Sequence, residues 1–167
     1  MKKLILVLFC LNLLCGLCAC NQKSPDVTAV TTGLLFTAEI SLNDYKECFF
    51  VKSEADGALY LECCSDKDKT SNDYLFKNST VTYIYKDLEY ETEISSLPDS
   101  FIIDLIPVAL NEIRGKELSY KDKKYFVKGN TEKYSFTVYC GASGLPIEIV
   151  EQNKGIKIKS GDIKVIS

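Results

Sequence analysis

From Gly33 onwards the apolar residues recur at every second position, and this period constrains the fold more than any other feature. Leu34, Phe36, Ala38, Ile40 and Leu42 alternate with Leu35, Thr37, Glu39 and Ser41. Successive side chains of a strand point to opposite faces, so the pattern predicts a strand buried on one side. The same period returns over Tyr45–Lys52, Ala58–Cys64, Thr80–Tyr85 and Leu88–Ile94, with a shorter apolar piece at Tyr74–Phe76. It resumes over Lys124–Lys128, Glu132–Cys140, Leu145–Glu151, Gly155–Lys159 and Asp162–Ile166. Turn signals separate these runs: Asn43-Asp44, Gly129-Asn130, Gly141 to Gly144, Asn153 to Gly155 and Ser160-Gly161.

One interruption stands in the middle. Ser96-Leu97-Pro98-Asp99 offers helix-start residues, and the apolar positions from Phe101 to Ile113 then follow a helical period. They cover an arc of about 200° at 100° per residue, with Asp104 and Asn111 on the opposite edge. Arg114 and Gly115 supply a stop. Pro107 is expected to kink this segment or split it in two. An arc that wide suits a helix cradled by a curved sheet. One helix among so many strands is too little for βαβ units. The expected fold is therefore mainly β with one proline-kinked helical segment: a large antiparallel sheet of about ten strands wrapped round it.

The first 20 residues tell a different story. Met1-Lys2-Lys3 is basic, and an apolar run continues from Leu4 to Leu17. A basic start, an apolar middle and a small-residue end describe a secretory signal peptide. A spanning anchor is the competing reading, but it needs about 20 apolar residues and the run is slightly short. Leu17-Cys18-Ala19-Cys20 resembles the lipobox of bacterial lipoproteins. Cys10, Cys15 and Cys18 lack the small residue and the leucine at the same offsets. The resemblance implies removal of residues 1–19, acylation of Cys20, and a protein held by lipid on the extracytoplasmic face of a cell membrane. Residues 20–32, with Ser, Pro, Asp and Thr, read as a flexible tether, and 33–167 as the domain.

Without residues 1–19 the chain has 148 residues and a formal charge of −5. That acidity argues against nucleic acid as a partner. Histidine is absent, which removes His-based triads, acid–base steps and metal sites together. No Ser–Lys or carboxylate motif and no Gly-rich phosphate loop takes their place, so no catalytic residue, cofactor or metal is expected. Glu89, Glu91 and Glu93 share one strand face, which reads as a solvated face that discourages edge pairing. Cys63-Cys64 is adjacent on a strand, so its thiols diverge and do not suit a zinc site. Matching the apolar faces of the second and third strands sets Phe49 against Leu61 or Cys63. Cys48 and Cys64 then approach on the outer face, as a disulfide or as free thiols.

The pattern resembles the LolA/LolB lipoprotein-carrier superfamily and its lipid-anchored relatives. Three features carry the likeness: Phe36-Thr37-Ala38-Glu39-Ile40 at the opening, the single helical insert, and the late Gly144-Leu145-Pro146-Ile147-Glu148-Ile149 hairpin. The resemblance implies an unclosed half-barrel that binds a lipid or other apolar ligand between sheet and helix. Phe36, Ile40, Phe49, Leu61, Tyr83, Tyr90, Phe101, Ile102, Leu105, Phe136 and Ile147 would line that space. The alternative is a surface-anchored module that binds a protein partner and has a filled interior. Large inward side chains favour the second, small ones the first.

Overall fold

The computed structural model describes Pro25 and residues 33–64, 72–86 and 88–166. The signal segment 1–19, Cys20 and the tether apart from Pro25 lie outside the described residues.

Eleven strands form one sheet: β1 (Leu34–Leu42), β2 (Tyr45–Ser53), β3 (Leu59–Cys63), β4 (Asp73–Lys77), β5 (Thr80–Tyr85), β6 (Leu88–Glu93), β7 (Ser119–Lys121), β8 (Lys124–Asn130), β9 (Ser135–Cys140), β10 (Pro146–Glu151) and β11 (Lys157–Val165). Their order is β6-β5-β4-β3-β2-β1-β11-β10-β9-β8-β7, antiparallel throughout and not closed. Chain neighbours pair with each other except β6 and β7, and β11 returns to pair with β1 near the centre. The two edges, β6 and β7, are consecutive in the chain, so their connection must cross the whole width of the sheet. That crossover carries a 3₁₀ turn (Ile94–Ser96) and the helix α1 (Leu105–Ile113). The architecture is the expected unclosed half-barrel round a helical segment.

On β1, β2, β3 and β9 the alternation read from the sequence is the alternation of burial, but on β6 it is not, since Leu88 and Tyr90 are exposed at the sheet edge. Leu34, Phe36, Ala38 and Ile40 of β1, Phe49 and Val51 of β2, Leu59 and Leu61 of β3, and Phe136, Val138 and Cys140 of β9 all face the core. Leu105, Ile106, Ala109, Leu110 and Ile113 of α1 complete it. Each of the larger aliphatic and aromatic side chains among them stabilises the fold by about 1.5–3 kcal/mol when fully buried. Among the described residues, the strand pairs, crossover and core all lie within 33–166, which leads us to expect this span to fold on its own.

The helix is shorter than the sequence pattern predicts. Pro107 has no N–H to give the Ile103 carbonyl. Ile106 N–H takes that carbonyl at 3.1 Å, and Leu105 N–H takes Ile102 O at 3.2 Å, so tight turns fill 102–106. The α-helical pattern begins with Val108 N–H on Asp104 O at 3.2 Å. Pro107 thus sits in the first turn of α1, where its missing N–H costs nothing. Phe101–Asp104 remain outside the helix as an approach that turns into it.

Three strand expectations are corrected. β7 is an addition to them: all three of its residues are exposed, so no alternation marks it. Its turn to β8, Asp122-Lys123, has φ of 53° and 64°, the type I′ geometry usually signalled by Asn-Gly. Ser160-Gly161 does not turn the chain. β11 runs through it, paired to β1 on one side, and absorbs an extra residue as a bulge near Asp162 (φ 51°). Ile147 does not face the interior. The β9–β10 register shifts between Pro146 and Glu148, so Ile147 is the bulged residue, 43% exposed, and Ile149 takes the buried position.

Candidate functional site

The inner face of β2 continues past the core to the rim of the half-barrel. Phe49 is buried, Glu47 is half-buried and Tyr45 is exposed at the rim. Across from them lie Tyr74 of β4 and the crossover residues Ser100 to Ile103. Between these elements is an open cleft of about 450 Å³, with Leu42, Tyr45, Glu47, Asn72, Tyr74 and Ser100–Ile103 on its walls. The cleft separates the sheet from the approach to α1.

Its floor is aromatic. The Tyr74 ring meets Tyr83 at 5.4 Å, Phe101 at 5.7 Å and Phe49 at 6.0 Å, all edge to face, the arrangement that aromatic quadrupoles prefer. Tyr83 also meets Phe101 at 5.9 Å and Tyr90 at 6.2 Å. Burial pushes the Tyr74 phenol up to about 12. Burial and its bond to Glu47 raise the Tyr45 phenol as well. Both hydroxyls therefore keep their protons at neutral pH. The Tyr45 hydroxyl donates to Glu47 Oε2, and Cys63 Sγ lies 3.8 Å from Glu47 Oε1. Among the described residues, Glu47 is the one charged side chain on these walls.

The crossover is tied down from its other side. Lys133 Nζ donates to Asp104 Oδ2 at 2.9 Å and to the Phe101 carbonyl at 2.8 Å. The Tyr134 hydroxyl donates to Asp104 Oδ1 at 2.5 Å. Lys154 Nζ donates to the Asp99 carbonyl at 2.8 Å. Asp104 is buried, so its charge requires this pairing. A second cleft lies there, with Asp99, Asp104, Glu132 and Lys133 as charged lining residues, of which Asp104 and Lys133 pair with one another.

The residues expected to line a ligand space divide into three groups. Phe36, Ile40, Phe49, Leu61, Leu105 and Phe136 are packed core. Phe101 and Ile102 reach the cleft, and Tyr83 stands behind it. Tyr90 is 67% exposed on the edge strand β6, and Ile147 lies outside. Leu42, Glu47, Tyr74 and Ile103 join the lining without having been expected there. The alternation Tyr45, Glu47, Phe49 carried the signal for Glu47. The approach of 100–103 to β2 had none.

Cys48 and Cys64 lie on the outer face with sulfurs 2.8 Å apart, both thiols, and Cys64 N–H donates to Cys48 O at 2.8 Å. Among the described residues no group of three or more His, Cys, Asp or Glu is placed to hold a metal ion. Glu89, Glu91 and Glu93 are exposed. No described helix is long and apolar enough to cross a membrane.

These features define a class: an open antiparallel half-barrel that wraps its own edge-to-edge crossover and leaves an aromatic cleft at the rim. Among solved structures, the chain is similar to an uncharacterized conserved protein from Thermus thermophilus, with TM-score 0.53 and 11% identity over 84% of this chain and 82% of that one. A LolA superfamily protein from Nitrosomonas europaea aligns with TM-score 0.49 and 9% identity over 87% of this chain and 90% of that one. At these identities the likeness is one of fold. No family model and no curated protein matches the sequence.

Proposed function

We propose that the chain is a non-enzymatic lipoprotein, anchored through acylated Cys20 on the extracytoplasmic side of a membrane, whose half-barrel holds a lipid or other apolar ligand. The observation that carries the binding reading is the aromatic cleft between Tyr45, Tyr74 and Phe101, open to solvent beside a filled core. Concave, mostly apolar sites with few polar groups are the ordinary form of small-ligand sites. With the interior filled, the ligand is expected at the rim, not deep between sheet and helix. The lipobox resemblance at Leu17-Cys18-Ala19-Cys20 supports the anchor. A doubly or triply acylated cysteine holds to a bilayer without further help.

Two measurements test this. Mass spectrometry of the untagged 33–167 domain should find a stoichiometric co-purifying amphiphile; a ligand-free domain that binds no amphiphile ends the binding reading. In a bacterial host, Cys20→Ser should abolish acyl labelling and membrane partition. Persistent labelling of the Ser variant would end the Cys20 assignment. The exposed β6 edge, with Leu88 71% and Tyr90 67% accessible, favours a second reading as a protein-interaction module.

A further inference from the structure

The rim cleft has a charge character that its volume alone does not reveal. Its apolar and aromatic walls carry one carboxylate, Glu47, and, among the described residues, no lysine or arginine. Asn72 and Ser100 are its remaining polar side chains. Lys133, on the crossover's other side, is committed to Asp104 and two backbone carbonyls. Glu47 receives hydrogen bonds from Tyr45 on Oε2 and from Cys63 Sγ on Oε1, and a carboxylate has further lone pairs to accept.

Consider an amphiphile entering with its chain against Tyr74, Phe101 and Ile103. A carboxylate or phosphate head would be drawn from water toward a like charge, with no cation among the described lining residues to receive it. An ammonium head meets the opposite: a carboxylate for its charge, and phenol and phenyl rings whose faces attract cations within about 6 Å of the ring centroid. From this, and resting on the ligand-binding reading above, we infer that the cleft is a site for amphiphiles with a cationic, amine-type head, and that Glu47 is the residue that selects them over fatty acids and other anionic lipids.

Three twelve-carbon probes with a common chain test the inference on the 33–167 domain: dodecyltrimethylammonium, dodecanol and dodecanoate. Each is titrated below its micelle concentration at pH 7.5 by calorimetry. The cation should bind about tenfold tighter than dodecanol, and dodecanoate weaker than either, a tenfold step being about 1.4 kcal/mol. Glu47→Gln, which keeps the side-chain volume, should remove most of the cation's advantage. Phe101→Ala should weaken all three probes, locating them in the cleft. Equal affinity for cation and carboxylate, or a preference that survives Glu47→Gln in a variant with unchanged melting temperature, overturns the headgroup assignment and leaves the apolar site standing. No saturable binding of any probe overturns the assignment and the ligand reading together.

Discussion

Gly129 of β8 sits opposite Phe136 of β9. A Cβ there would lie 2.2 Å from Phe136 Cζ, 2.5 Å from Cε2 and 2.9 Å from Glu112 Cγ of α1. The ring fills the space that a side chain would need, between the sheet and the helix. Gly129→Ala should therefore destabilise the fold by about 1–3 kcal/mol through overpacking, read as a fall in the urea midpoint. An unchanged midpoint would mean that Phe136 can leave its place without loss. Cys140, 3% exposed, poses a different question. Burial pushes its thiol from the ordinary 9.0 up to about 11. The native state then keeps a proton that the unfolded chain releases. Its stabilisation is full below pH 9 and is lost as pH rises from about 9 to 11, some 2–3 kcal/mol in all. Buried tyrosines add to the alkaline loss. Cys140→Ala should make the fall between pH 9 and 11 shallower; an identical slope would refute the assignment to this thiol.

At the scale of elements, β2 and β3 meet with Phe49 opposite Cys63, so the register carries Cys48 opposite Cys64. Directly opposed residues of antiparallel strands have Cα atoms about 4.5–5.5 Å apart, inside the range a disulfide spans. On the proposed export, the chain would meet an oxidising environment. Burial, with the neighbouring Cys48 thiol, pushes the Cys64 thiol up to about 12, which slows attack by its thiolate. We expect oxidised glutathione to link Cys48 to Cys64, slowly at pH 7 and faster at pH 9. Peptide mapping should then show that pair, with Cys140 outside it. Closing a loop of about 15 residues contributes about 3 kcal/mol, or a rise in Tm of roughly 6–12 °C. Failure to form the bond after partial unfolding and refolding in the oxidant would count against the β2–β3 register. The elements themselves were legible wherever one face is buried. β7 was not, because an exposed three-residue strand has no apolar face to mark its period. Nor were the bulges at Ile147 and Asp162, since one extra residue reverses the facing of the positions after it without altering composition.

For the whole molecule, the central fact is that the last strand lies in the middle of the sheet. β11 pairs with both β1 and β10, joining Leu34 to Val165 across nearly the whole domain. A chain ending before Lys157 should therefore lose the seam between the two halves, not a peripheral strand. It should show no cooperative thermal transition, where the complete domain shows one. So many long-range pairings also predict slow refolding, in milliseconds to seconds.

The sequence by itself determined most of the strand faces and the one helical interruption, because burial imposes a period on whatever it covers; the break expected at Pro107 is instead the start of the helix. It also placed Cys48 beside Cys64, because register along paired strands follows from matching apolar faces. It could not place the rim cleft. Glu47, Tyr74 and Phe101 come from three elements whose approach is set by the crossover's path from one sheet edge to the other, and by the Lys133–Asp104 pair that fixes that path. Nor could it separate Phe36 and Phe49, which fill the core, from Phe101, which borders the opening. All three are apolar at the right period, and only the curvature of the assembled sheet decides which of them a ligand can reach.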